Sequence, residues 1–145
     1  MDSSSIKPEQ LRTIKSLSRC NEGERMAFLE FVELVPCAKG VLLIQEGDEG
    51  DCMYFIVAGE MRVFTRKKNG QEQTLKMLGV GDAFGDVALF HGSPRMASVD
   101  AASDSQLLRL TSEGLDRLRV QQPGIAAEFL HSLATTLTQM YRDFH

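Results

Sequence analysis

The sequence predicts a mainly-β fold: a sandwich or jelly roll of about eight short antiparallel strands, carried between helices at both ends. Three observations point there. From about Leu34 to Leu110 apolar residues recur at a period near two, glycines and an Asn-Gly step punctuate that run at short intervals, and the stretches on either side change to a helical period. At 145 residues, with 43% hydrophobic and 25% charged residues, the chain suits one domain over 1–145 that buries a core without disulfides or metals.

Helices are expected over about 8–32. Met1 to Ser5 is polar and reads as loose chain, and Pro8 stands where a first-turn proline opens a helix carrying Leu11, Ile14 and Leu17. A second helical stretch from about Asn21 to Val32 places Met26, Phe28, Leu29 and Val32 on a half-buried face, with Phe31 less well placed. Cover for one end of a core explains both.

The β region is expected over about 34–111. Val41 to Gln45 is apolar, Gly47-Asp48-Glu49-Gly50 turns the chain, and Met53 to Val57 resumes it. After Gly59, the residues Met61, Val63 and Thr65 alternate with Arg62, Phe64 and Arg66. Asn69-Gly70 predicts a two-residue type I′ hairpin turn, whose central positions both need positive φ. Leu75, Met77 and Leu78 lie in the returning strand, and Gly79-Val80-Gly81-Asp82 leads into a segment of another kind. Beyond that segment, Met96 to Ala101 and Gln106 to Leu110 read as two strands separated by Ser103-Asp104-Ser105.

The C-terminal helices are expected over about 112–144. Ser112 is placed to cap a short helix bearing Leu115 and Leu118, which Gln121-Gln122-Pro123-Gly124 ends. The final helix carries Ile125, Phe129, Leu133, Leu137, Met140, Tyr141 and Phe144 near one face, a stripe suited either to packing on its own β region or to pairing with a second copy as a homodimer.

Composition narrows the function. A net charge of −4 disfavours a nucleic-acid partner, and Arg66-Lys67-Lys68 beside Asn69-Gly70 is more simply a solvated hairpin tip. Cys20, Cys37 and Cys52 are widely spaced with no Cys-x-x-Cys pair, which favours reduced thiols in a cytoplasmic protein over a metal centre. Nothing at the N-terminus resembles a signal peptide, and no apolar run approaches the ~20 residues of a membrane span. His91, His131 and His145 lack metal-ligand spacing, and no nucleophile sits in an activating motif, so the expectation is a protein that is not an enzyme.

Phe84 to Val99 fits no single secondary structure and reads as a binding loop. Gly85 permits a turn, Asp86 to Phe90 is long enough for one helical turn, and Pro94 fixes the backbone before Arg95, whose guanidinium suits a phosphate. The run Phe84-Gly85-Asp86-Val87-Ala88-Leu89, followed by Pro94-Arg95-Met96-Ala97-Ser98, resembles the phosphate-binding cassette of cyclic nucleotide-binding domains, and the resemblance extends over roughly residues 20–140. The family's ribose-binding Glu is Asp86 here. Gly47, Gly50, Gly59, Gly81 and Gly85 fall where the family's β-roll is expected to have them.

The resemblance implies a ligand site at Phe84, Gly85, Asp86, Val87, Ala88, Arg95, Met96, Ala97 and Ser98, with Arg95 on the exocyclic phosphate oxygens and Asp86 toward the ribose 2′-OH. Val63, Leu75 and Leu78 match positions that line the base pocket or else belong to the core, and Thr136, Met140 and Tyr141 are placed to close over the base. Met96 lacks the hydroxyl that cyclic GMP-selective members offer, so cyclic AMP is the implied ligand. The implied function is a sensor module that passes occupancy to an unknown protein partner through its last helix. The alternative is a β-roll that binds no nucleotide and serves as a dimerisation or scaffold domain. The chain given stops at His145, so direct DNA contact is not expected.

Overall fold

Among the residues the structure describes, eight antiparallel strands form two four-stranded sheets. One orders β1 (Glu33–Cys37), β8 (Ser105–Thr111), β3 (Cys52–Ala58) and β6 (Ala83–Phe84); the other orders β2 (Leu42–Ile44), β7 (Ser98–Ala101), β4 (Met61–Arg66) and β5 (Glu72–Leu78). The structure is a computed structural model describing residues 6–92 and 94–144, so the expectation for Met1 to Ser5 lies outside it. Helices flank the sheets: α1 (Pro8–Arg12) and α2 (Glu22–Phe28) before them, α3 (Asp86–His91) between β6 and β7, and α4 (Ser112–Gln121) and α5 (Pro123–Phe144) after them. No helix among the described residues is long and apolar enough to cross a membrane.

The central strand β3 explains the layering. Met53, Phe55 and Val57 pack on the helices, while Cys52, Tyr54 and Ile56 face the space between the sheets, so the strand is apolar along its whole length. On the helical side Phe28, Phe55 and Phe129 meet with ring centroids 5.7–5.9 Å apart, which ties α2 and α5 to the first sheet.

Local geometry corrects several expectations. The helix opened by Pro8 stops at Arg12 and the chain continues as a 3-10 turn, Lys15–Leu17, yet Leu11, Ile14 and Leu17 are all buried because three residues per turn keeps i and i+3 on one side. The same effect buries Phe31 in the 3-10 turn Leu29–Phe31, whereas Met26 is 40% exposed. The hairpin tip is a three-residue loop and not type I′: the Lys67 N–H donates to Gln71 O at 2.8 Å, the Gly70 N–H donates to Lys67 O at 2.9 Å, and Gly70 (φ 87) has positive φ while Asn69 does not. A bulge between Val63 and Phe64 leaves Leu75 unpaired in β5, and β4 buries both faces: Met61 lies between the sheets, while Phe64 is covered on the other side by the Arg62 guanidinium, 4.0 Å from its ring centroid. Thr111 caps α4, its hydroxyl accepting from the Gly114 N–H at 3.0 Å; Ser112, the expected cap, donates to Asp51 O.

The last helix divides. Ile125, Ala126, Phe129 and Leu133 are buried against the chain's own core, but Leu137 and Met140 are 42% and 46% exposed. At about 1.5 Å per residue, the 22 residues of α5 outrun the surface available to cover them.

Candidate functional site

The chain reaches the site through two segments laced together. The Gly47 N–H donates to Arg95 O at 2.9 Å, the Arg95 N–H donates to Asp48 O at 2.7 Å, and Glu49 forms an isolated bridge with Pro94. The turn after β2 thereby fixes the backbone of Arg95, and Pro94, which has no N–H, loses nothing by preceding it.

Side-chain contacts then fix the guanidinium. Arg95 Nη1 donates to Gly85 O at 3.1 Å, and Nη2 donates to Cys52 O at 3.0 Å and lies 3.4 Å from Cys52 Sγ. Glycines leave the room: a Cβ built on Gly50 would stand 2.2 Å from Arg95 Nε, and one built on Gly85 2.6 Å from Nη1. Gly85 is further required by its φ of 86°. Arg95 is partly buried, and no carboxylate among the described residues lies within 4.0 Å of it. The strand arginines Arg62 and Arg109 are paired, by contrast: Arg62 bonds Asp100 and Glu72, Arg109 bonds Glu33, and these carboxylates hold both guanidinium groups above their ordinary pKa. A guanidinium anchored by neutral carbonyls keeps its positive charge for an incoming anion.

Beside it opens a cavity of about 150 Å³ lined by Ile44, Val63, Phe84, Gly85, Asp86, Pro94, Arg95, Met96, Ala97 and Val99. Its walls are mostly apolar, with one carboxylate and one guanidinium, the composition expected of a small-molecule site. Phe84 stacks on Tyr54 with centroids 5.2 Å apart, which steadies the wall nearest α3.

Of the residues named from the sequence, Val63, Phe84, Gly85, Asp86, Arg95, Met96 and Ala97 come together around this cavity. Met96 is 74% exposed at its rim. The backbones of Val87 and Ala88 belong to α3, and their side chains lie outside the described ones. Ser98 does not face the cavity: it is buried, and its hydroxyl accepts from the Glu46 N–H at 2.9 Å, joining β7 to the end of β2. Leu75 and Leu78 do not line it either. Leu75, an odd number of residues from Leu78 and so on the opposite face of β5, is 53% exposed, while Leu78 packs between the sheets. Thr136, Met140 and Tyr141 are also absent from its walls.

Residues 34–122 match the family model for the cyclic nucleotide-binding domain. The chain belongs to that family. Its relatives include the cyclic AMP receptor protein of Thermus thermophilus, 34% identical over 105 residues, and the cAMP-dependent protein kinase regulatory subunit of Aspergillus niger, 34% identical over 108 residues. Those alignments cover 72% and 74% of this chain but only 47% and 26% of the relatives, so the chain spans about half the length of one and about a quarter of the other. The crystal structure of the Thermus thermophilus catabolite activator protein superposes with a TM-score of 0.80 at 29% identity, covering 89% of this chain and 59% of that one.

Within this cyclic nucleotide-binding domain, the sequence reading missed Ile44 and Val99 as walls, and Cys52 as a partner of Arg95. Ile44 sits in an apolar run and Val99 at the start of a strand, and neither position carries a signal of its own that it faces a cavity. Cys52 is 43 residues from Arg95, and no local pattern announces that contact. Among the described residues, no cluster of His, Cys, Asp or Glu is arranged to hold a metal ion.

Proposed function

We propose that this domain is a non-catalytic sensor, working in the cytoplasm as one module, that binds cyclic AMP in preference to cyclic GMP. The observation that carries the reading is Arg95, fixed by carbonyl acceptors and glycine clearances at the edge of an apolar cavity, with no carboxylate neutralising it among the described residues. The cyclic phosphate meets Arg95, the base lies along Val63, Phe84 and Val99, and the ribose 2′-OH turns toward Asp86. Met96 at the rim has no hydroxyl to offer a guanine. The names of the relatives, a cyclic AMP receptor and a cAMP-dependent kinase subunit, support the same ligand.

Output leaves through α5 to a protein partner. Leu137 and Met140 give its second half an exposed apolar face, suited to a second copy of this chain in a homodimer. Calorimetric titration with cyclic AMP, cyclic GMP and cyclic di-GMP tests the reading. Micromolar binding of cyclic AMP, with cyclic GMP weaker, is expected from a charge-assisted phosphate contact together with apolar burial of the base. Equal or reversed preference refutes the selectivity, and no heat from any of the three favours a scaffold domain.

A further inference from the structure

Arg95 has five N–H donors, and how they are shared sets what an anion encounters. The Gly85 and Cys52 carbonyls, at 3.1 and 3.0 Å, are firm acceptors for a charged donor. The third acceptor is the Cys52 thiol, 3.4 Å from Nη2, and sulfur accepts weakly.

The thiol is itself held in place. Cys52 is 8% exposed and lines a second cavity of about 190 Å³ that shares Arg95 and Ile44 with the first. Tyr54 lies on the same face of β3, and burial together with the neighbouring Cys52 thiol pushes its phenol above the usual value. Tyr54 belongs to a cross-strand row, Phe84–Tyr54–Arg109–Glu33, that crosses the whole first sheet from the cavity wall to β1. Cys52 therefore stands between the guanidinium of Arg95 and a braced part of the sheet.

We propose that Cys52 is a positioning residue for Arg95: its sulfur holds one Nη2 N–H until an anion arrives and then yields it to a phosphate oxygen, while the two carbonyls keep the guanidinium in place. This rests on the cyclic nucleotide reading. A weak acceptor suits the task, because it satisfies the donor without competing strongly for it. A stronger acceptor at the same position opposes binding, and no acceptor leaves the donor to the phosphate.

The test compares the full chain with Cys52→Ser and Cys52→Ala by calorimetric titration with cyclic AMP, with thermal melting of each protein. Cys52→Ser should weaken binding by about three- to ten-fold, and Cys52→Ala should bind at least as tightly as the native protein. A packing role alone gives the opposite order, since Ser nearly matches Cys in shape and Ala leaves a void. Equal affinities, or Ala weaker than Ser, overturn the proposal. The infrared S–H stretching band lost in Cys52→Ser provides a second reading: it should shift when cyclic AMP is added to the native protein, and a band that stays in place while the nucleotide binds rejects the exchange. If the native protein binds no cyclic AMP, the nucleotide reading itself fails and this inference fails with it.

Discussion

Gly50 stands so close to Arg95 that a single added carbon would lie 2.2 Å from the guanidinium Nε. Forty-five residues apart in the sequence, the two are brought together by the hydrogen bonds that lace the turn after β2 to the Pro94–Arg95 step. The clearance belongs to the side chain alone, because Gly50 does not have positive φ.

Gly50→Ala therefore separates binding from folding. Alanine suits the Gly50 backbone but drives the flexible end of Arg95 from its slot, so cyclic AMP affinity should fall by about tenfold or more, with the melting temperature nearly unchanged. Gly85→Ala should lose both, since its φ of 86° adds about 1–2 kcal/mol of backbone strain to the clash with Arg95 Nη1. Titration and thermal melting of the two variants read the contrast, and similar loss of stability in both contradicts it.

Asp86→Glu should strengthen cyclic AMP binding by roughly five-fold, or ~1 kcal/mol, because the longer side chain brings its carboxylate within reach of the 2′-OH. A 2′-deoxy analogue offers no hydroxyl and should show no gain. A fall in affinity for cyclic AMP would mean that the cavity is already shaped to Asp86.

Asp82 links the β5–β6 connection to the N-terminal turn. Burial favours the protonated acid, but the Lys15 ammonium and the Gly79 N–H, which donates at 2.9 Å, outweigh it and hold the carboxyl below its ordinary pKa. A depressed acid contributes stability that is fully present above its unfolded pKa, about 4, and is lost as pH falls through the folded value. Asp82→Asn should lower the melting temperature at neutral pH and flatten its decline below about pH 4. A decline as steep as that of the native protein would remove the pair from the acid response.

Hydrogen exchange over residues 125–144 tests transmission. The first half of α5 is buried and its second half bears exposed Leu137 and Met140, so cyclic AMP should alter protection most beyond Leu133. Identical protection with and without nucleotide would leave α5 with no part in output.

Much of this was legible in the sequence, for physical reasons. The alternation of polar and apolar residues follows from sheets with one buried face, and Gly85 and Arg95 carry requirements that few other residues meet. Other features depended on geometry that local sequence does not encode. Phe31 and Leu17 are buried because the chain tightens into 3-10 turns, and Leu75 has no partner on β4 because a bulge shifts the register by one residue. The stripe on α5 was readable as a stripe, but its division at Leu133 depends on where the core ends. Cys52 was visible only as a thiol, and its meeting with Arg95 depends on the pairing of β3 with its neighbours.

The most direct test of the account is the affinity of cyclic AMP for Arg95→Ala beside the native protein. Among the described residues the Arg95 side chain bonds to the Gly85 carbonyl and the Cys52 carbonyl and thiol and pairs with no carboxylate, and its backbone bonds survive substitution, so removal of the side chain should leave the melting temperature almost unchanged. Binding should be lost by at least about a hundredfold, as expected when a phosphate loses a partly buried guanidinium. A folded Arg95→Ala protein that binds cyclic AMP as tightly as the native one would contradict the account.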